Sequence, residues 1–365
     1  MKLQYIVVLV LAGIGYGMIE PGRLTYAFGH ATLYVLLPAL LFEAAWNLRY
    51  RAMLRGWRAI AILAVPGVLL TAVLIAGALA VVHVPFKTGL LAGAILSATD
   101  PIAVVGIFRR MRVPALLSTI VECESLFNDA VAVALYRAVL AAVLAGSVGA
   151  AGLAQISATA IAGVIGGIAI GIGIAFVAAA LLRNRNDVVL QILATGLCAY
   201  VSYYAADRLD CSGIFATIAG GIAIRSFERR WISLTVAEDV NRFWDVAALV
   251  ANALVFFLVG AALDVSIVTL DPAFVLAALA GVMIARVAVS GLLLPTGYPR
   301  EWLDVVRVAG MRGALSLALA IALPQVPQRE AIIAATFAVA LATIISSTLT
   351  VPPVVARVAA RRPNG

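Results

Sequence analysis

The stretch Glu122-Cys123-Glu124-Ser125-Leu126-Phe127-Asn128-Asp129-Ala130 puts three carboxylates within eight residues, inside a run from Val113 to Gly146 otherwise dominated by Ala, Val and Leu. Ser125 and Asp129 are four apart and share one face of a helix; Glu124 and Asn128 share an adjacent one. Hydroxyl and carboxylate oxygens are hard ligands, suited to a small alkali cation. A carboxylate held away from water favours its protonated form, so a proton can compete with the metal ion for the same oxygens. Competition for one carboxylate is all that exchange of two cations requires. The plain alternative for Asp129 is a structural ion-pair partner.

Three other segments carry polar groups in apolar surroundings. In Ser97-Ala98-Thr99-Asp100-Pro101, Pro101 removes a backbone donor and disfavours helix at Asp100. A break at bilayer depth is tolerated where it lines a cavity or is buried in protein. An Asp there can meet half-helix ends, the arrangement by which transporters hold ions; a kink with a capping Asp is the simpler reading. Gly310-Met311-Arg312-Gly313 sets a cation between glycines. Such an arginine needs an acid, with Glu124 or Glu122 the natural partner, and its expected role is to hold the acidic helix. Glu43, in Leu40-Leu41-Phe42-Glu43-Ala44-Ala45-Trp46-Asn47, is either an accessory ion ligand or a side chain snorkelling toward nearby arginines. Asn252 bonds across helices or lines the pathway. Arg137 and Arg286 have no assigned role, and His30 and His83 lack metal-ligand spacing.

These groups sit in a chain of 365 residues that is 64% hydrophobic and only 12% charged, against roughly 25% charged in ordinary soluble domains. Repeated apolar runs of about 20 residues make it a polytopic membrane protein. Twelve spans are expected, at about 3–19, 31–48, 57–82, 88–108, 113–145, 155–182, 188–206, 211–225, 240–263, 272–294, 302–323 and 330–356. With the N-terminus in the cytoplasm, 19 of the 26 Lys and Arg fall on the cytoplasmic side. Arg23, Lys87, Arg208 and Arg329 fall outside, and Arg137, Arg286 and Arg312 within spans. This positive-inside bias supports both the count and cytoplasmic termini. It also accounts for the net charge of +8 without nucleic acid, for which no basic soluble module is present. Cys123, Cys198 and Cys211 show no paired spacing, so neither disulfides nor zinc are expected. Gly163, Gly167 and Gly171 form a small-residue face suited to close helix packing.

The fourth and eleventh spans, both interrupted, are seven apart and therefore cross in opposite directions. That fits an inverted repeat with two broken helices at its centre.

The same residues carry a family resemblance. Ala98-Thr99-Asp100-Pro101-Ile102-Ala103-Val104-Val105, then Glu124 to Val131, then Gly310-Met311-Arg312-Gly313-Ala314-Leu315-Ser316 resemble the sodium/proton antiporters, in the NhaP-type branch related to animal exchangers. Leu37 to Ala44 and Ser212-Gly213-Ile214-Phe215-Ala216 match as well, in the right order. The resemblance implies an all-α antiporter fold with two broken crossing helices. Residues 1–365 would form one transmembrane domain, its ion-binding core mainly 57–145 and 272–356, its scaffold and dimer part mainly 1–48 and 155–263. No soluble regulatory domain is expected. Asp129 would carry cation or proton, with Asn128 beside it. Na⁺ would be held by Asp129, Ser125, Thr99 and Glu43, with Asp100 contributing to the site, and Glu124 would pair with Arg312. The Asn-Asp pair looks like the electroneutral, one-for-one class, working by an elevator-like shift of the core. A homodimer in the cell membrane is implied. The cargo is Na⁺ or Li⁺ and H⁺, with no cofactor and no enzymatic activity. The departures are twelve spans against a usual thirteen, the first having no counterpart, with Cys123 and Met311 in place of the usual small residue and Leu. The rival readings are a K⁺/H⁺ antiporter or a cation channel, though no repeated filter element is evident. An intramembrane enzyme lacks HExxH or GxSxG support.

Overall fold

A computed structural model describes residues 3–19, 32–111, 113–145, 150–183, 187–228, 234–261 and 271–360. The described residues are helical throughout, apart from short connectors and one isolated β-bridge. In lipid a spanning segment must satisfy its own backbone, and a helix does so residue by residue. In chain order the helices are α1 (Leu3–Ile19), α2 (Leu37–Trp46), α3 (Tyr50–Ala64), α4 (Pro66–Val81), α5 (Phe86–Ser97), α6 (Ile102–Met111), α7 (Ala115–Leu144) and α8 (Ala150–Leu182). They continue with α9 (Val188–Arg208), α10 (Gly213–Glu228), α11 (Leu234–Ala261), α12 (Pro272–Gly291), α13 (Arg300–Val308), α14 (Ala314–Ile321) and α15 (Arg329–Ala360). A π-helical turn, Thr32–Leu36, leads into α2, and a 3₁₀ turn, Leu294–Thr296, follows α12.

These helices make up the twelve expected passes. Among the described residues, seven stretches are long and apolar enough to span on their own, one being α3 and α4 together, Tyr50–Val81. α1, α2 and α10 are shorter apolar passes. The remaining two passes are interrupted: α5 stops at Ser97 and α6 begins at Ile102, while α13 stops at Val308 and α14 begins at Ala314. Both breaks fall where Pro101 and the Gly310–Gly313 segment place them. His30 lies outside the described residues.

Internal contacts divide the chain into two units, residues 1–30, 51–147 and 256–365, and residues 31–50 and 148–255. In the first unit, α4 packs on both α5 and α12, α5 on α7, and α15 on α12, α13 and α14. Two sets thus share one plan, a regular span, a broken span and a long span: α4, α5/α6, α7 and α12, α13/α14, α15. α1 also belongs to this unit, through close approach of its Gly13 to the end of α11 around Phe257 and Ala261.

The second unit centres on Phe42, Trp46 and Trp244, with Ala175, Cys198 and Val240 around them. The Trp46 indole donates to Asn241 Oδ1 at 2.7 Å, and the Arg225 guanidinium lies 4.5 Å from its ring centre. Gly167 and Gly171 of α8 lie directly on the backbone of Ser212 and Ala216, where no side chain would fit. Small residues allow this approach in a membrane, and the Ser212 N–H donates to Gly163 at 2.9 Å.

Candidate ion-binding site

Breaking a helix strands carbonyls on one side and amides on the other, and the first unit answers this by crossing its two breaks. Ala98 leaves α5 in an extended conformation, with φ −60° and ψ 138°. Two residues later the Asp100 N–H donates to Met311 C=O at 2.9 Å, forming an antiparallel bridge between the segments. Gly313 permits it, because a Cβ there would collide with the Asp100 side chain.

α7 supplies the polar wall. Thr99 is gripped by three of its side chains: Asp129 Oδ1 accepts from the Thr99 N–H at 3.2 Å, Asn128 Nδ2 donates to Thr99 Oγ1 at 3.3 Å, and Ser125 Oγ donates to Thr99 C=O. Thr99, Ser125 and Asn128 are buried, whereas Asp100 and Asp129 are half-buried. Asn128 Oδ1 is buried and accepts no hydrogen bond among the described residues. The cluster therefore offers hard oxygens, a carboxylate on Asp129, an amide oxygen on Asn128 and the Ser125 hydroxyl oxygen, of the kind that holds an alkali cation. Five of the six residues read from the sequence as cation- or proton-binding meet here: Thr99, Asp100, Ser125, Asn128 and Asp129. The sixth, Glu43, belongs to the second unit, where it accepts from Asn47 Nδ2 at 2.7 Å.

The expected pairing of Glu124 with Arg312 is not found. Glu124 Oε1 is paired with Arg286 Nη1 of α12 at 3.1 Å, both side chains being nearly inaccessible. Arg286 also donates to the carbonyls of Val306 and Arg307, placing a cation on the last turn of α13 as the helix dipole favours. Gly310 explains how it gets there, since the Arg286 guanidinium occupies the space a Cβ at 310 would fill. Arg312 is 1% exposed, and its guanidinium nitrogens have no hydrogen-bond partner among the described residues. Glu122, the other candidate partner, accepts from Ser118 on its own helix at 2.6 Å.

Two side chains that satisfy the second break escaped the sequence reading entirely. On α15, Thr343 Oγ1 accepts from the Arg312 N–H at 3.0 Å, and Ser347 Oγ donates to Val308 C=O at 2.8 Å. They satisfy both sides of the second break. Their four-residue spacing was the available signal, but hydroxyls in apolar helices commonly bond their own backbone, which hid it. Ser316 Oγ closes the account by donating to Ala98 C=O at 3.3 Å.

Two oppositely directed broken helices crossing beside a carboxylate-bearing span define the inverted-repeat secondary transporters. Comparison with known proteins makes this specific. The family model for the sodium/hydrogen exchanger transmembrane region matches residues 1–357, and the chain belongs to that family. It is 30% identical over 368 residues to the Na(+)/H(+) antiporter NhaH of Halobacillus aidingensis, covering 96% of this chain and 90% of that protein. It is 31% identical over 376 residues to the antiporter NhaG of Bacillus atrophaeus, covering 97% and 70%. The sodium/hydrogen exchanger 7 of Arabidopsis thaliana is 30% identical over 359 residues, and there the match spans 89% of this chain but only 31% of that protein. In fold, the chain resembles the sodium proton antiporter MjNhaP1 of Methanocaldococcus jannaschii, with a TM-score of 0.80, 22% identity and coverage of 98% and 92%. The chain is thus a multi-pass membrane protein of a sodium/proton exchanger family.

Proposed function

We propose that this chain exchanges Na⁺, or Li⁺, for H⁺ across the cell membrane, one for one, by competition of cation and proton for Asp129. The observation that carries the reading is the grip on Thr99: one turn of α7 presents Ser125, Asn128 and Asp129 to the break beside Pro101. Asp129 is the titrating ligand in this reading. Asn128 and Ser125 add neutral oxygens, and Thr99 and Asp100 shape the crossing. A neutral Asn beside the Asp leaves one charge to neutralise at that pair, by a metal ion or by a proton. The exchange is then electroneutral. The relatives named as Na(+)/H(+) antiporters support the same assignment. The unit with the crossing would move against the other as the elevator, in a homodimer with both termini in the cytoplasm.

The test uses proteoliposomes loaded with a pH dye, to which NaCl, LiCl or KCl is added. Na⁺- or Li⁺-driven proton movement in the wild type, lost in a folded Asp129→Asn variant, is the expected result. Retained exchange in that variant removes Asp129 from the role. Proton movement driven by K⁺ alone replaces the cargo, and cation currents uncoupled from protons point to a channel.

A further inference from the structure

Tyr50–Val81, the stretch formed by α3 and α4, is 32 residues long, about 48 Å as helix, against a hydrocarbon core of about 30 Å. No residue from Ile60 to Val81 is charged, so the excess length lies at the α3 end. Depth along α7 agrees. A Cβ on Gly56 of α3 would stand 3.0 Å from Ile120 and 3.3 Å from Leu116, so α3 rests on the first turns of α7. Ile120 is nine residues from Asp129, about 14 Å along the helix. With the two breaks crossing mid-membrane, where inverted-repeat transporters place their site, Gly56 stands at the edge of the hydrocarbon. The residues before it stand among the headgroups.

The exposed side of this segment is built in two stripes. Arg51, Arg55 and Arg58 are exposed and spaced i, i+4, i+7, so they share one helix face. Leu54, Trp57 and Ala61, exposed as well, follow the spacing i, i+3, i+7 on the adjacent face. Gly56, Ala59 and Leu63 lie on the opposite, buried side. The Arg58 guanidinium is 5.7 Å from the Trp57 ring centre, joining the two stripes. Arg55 Nε donates to Arg51 C=O at 3.3 Å, and among the described residues none of the three arginines pairs with a carboxylate. The positive-inside bias asks only for cations in a connector, in no regular order. A cationic stripe beside an apolar one, at this depth, fits a molecule with phosphate at one end and acyl chains at the other.

We propose that α3 seats an anionic phospholipid, its phosphate held by Arg51, Arg55 and Arg58 and its acyl chains laid along Leu54, Trp57 and Ala61. Guanidinium forks suit phosphate, two N–H groups meeting two oxygens. A Trp at the hydrocarbon edge meets both the chains and the headgroup region. An acidic protein segment would pair with the arginines and leave the apolar stripe unused, whereas a phospholipid uses both. Because the other side of α3 lies on α7, the bound lipid braces the helix that carries Ser125, Asn128 and Asp129. The seat does not depend on which ion those residues exchange.

Native mass spectrometry of the detergent-solubilised full chain, titrated with phosphatidylglycerol or phosphatidylcholine, reads the seat, and the thermal unfolding midpoint reads the bracing. The wild type is expected to retain phosphatidylglycerol in preference, and its midpoint to rise by about 4 °C at saturation. The variant Arg51→Gln/Arg55→Gln/Arg58→Gln binds phosphatidylglycerol about a hundredfold more weakly and loses the stabilisation. The corresponding triple Arg→Lys variant keeps the charge but not the fork; it falls between, and carries the test if the Gln variant does not insert. Glycerol phosphate, a headgroup without chains, gives no stabilisation. Equal retention of the two lipids by the wild type, wild-type affinity in both triple variants, or protection by glycerol phosphate overturns the inference. So does an equal loss in Arg242→Gln/Arg300→Gln/Arg357→Gln, which removes three exposed arginines from other helices and would reveal diffuse attraction only.

Discussion

Replacing Arg286 by Met leaves Glu124 as a buried carboxylate without a cation. Three groups lose their partner at once: Glu124 Oε1 at 3.1 Å and the carbonyls of Val306 and Arg307 on the last turn of α13. Breaking one side of a buried ion pair costs about 3–5 kcal/mol, and each carbonyl losing a charged donor adds about 1–3 kcal/mol. Partial relaxation and entry of water reduce the sum, so about 4 kcal/mol is the working expectation. Adding Glu124→Gln removes the stranded charge and restores about half, while the loss at α13 remains. Arg312→Met is the decisive contrast. Its guanidinium is as deeply buried but has no hydrogen-bond partner among the described residues, so an apolar chain of similar length is neutral or stabilising there. Thermal unfolding of these three detergent-solubilised variants, and of Arg312→Met combined with Glu124→Gln, against wild type reads the order directly. The expected order of midpoints places Arg286→Met lowest, the double variant between, and Arg312→Met at or above wild type. If Arg312→Met falls furthest and is rescued by Glu124→Gln, the ion pair is Glu124–Arg312 and the reasoning from Gly310 is wrong.

Two more outcomes are expected from the same geometry. If H⁺ and Na⁺ compete for Asp129, acidification raises the apparent KM for Na⁺, about tenfold per pH unit on the limb where the proton dominates, at unchanged maximal rate; a KM flat with pH would mean separate sites. Gly313→Ala drives a methyl group into the Asp100 side chain, so the bridge to Met311 is disrupted and exchange falls by at least tenfold with the protein still inserted, whereas wild-type exchange would show that the crossing tolerates a shift.

Pattern in the chain was enough to place the twelve passes and both interruptions, because each has a local cause. Apolar runs of spanning length mark the passes, Pro101 forbids helix before it, and two glycines bracket the second gap. The clustering of Ser125, Asn128 and Asp129 followed from helical spacing alone. Their shared target did not. That Thr99 receives all three depends on how closely α5 and α7 approach, which no spacing records. The partner of Glu124 was missed for a related reason. Arg312 stands next to a site motif and Arg286 does not, yet the Arg312 guanidinium makes no hydrogen bond among the described residues, while Gly310 leaves room for the Arg286 guanidinium that pairs with Glu124. Thr343 and Ser347 looked like ordinary helix hydroxyls until the carbonyl and amide they meet had coordinates.

The two interrupted passes pose one backbone problem twice and solve it unequally. At the first, a stranded amide on Thr99 is met by a carboxylate; at the second, the stranded amide on Arg312 is met by a hydroxyl. Both acceptors come from the long helix that closes their half. A molecule assembled from two similar halves therefore has its electrical asymmetry written into a pair of corresponding amides. One half meets its amide with an ionisable acceptor, and the other with a neutral one. If Asp129 is the exchanging carboxylate, the two halves divide the labour, one working and one bracing.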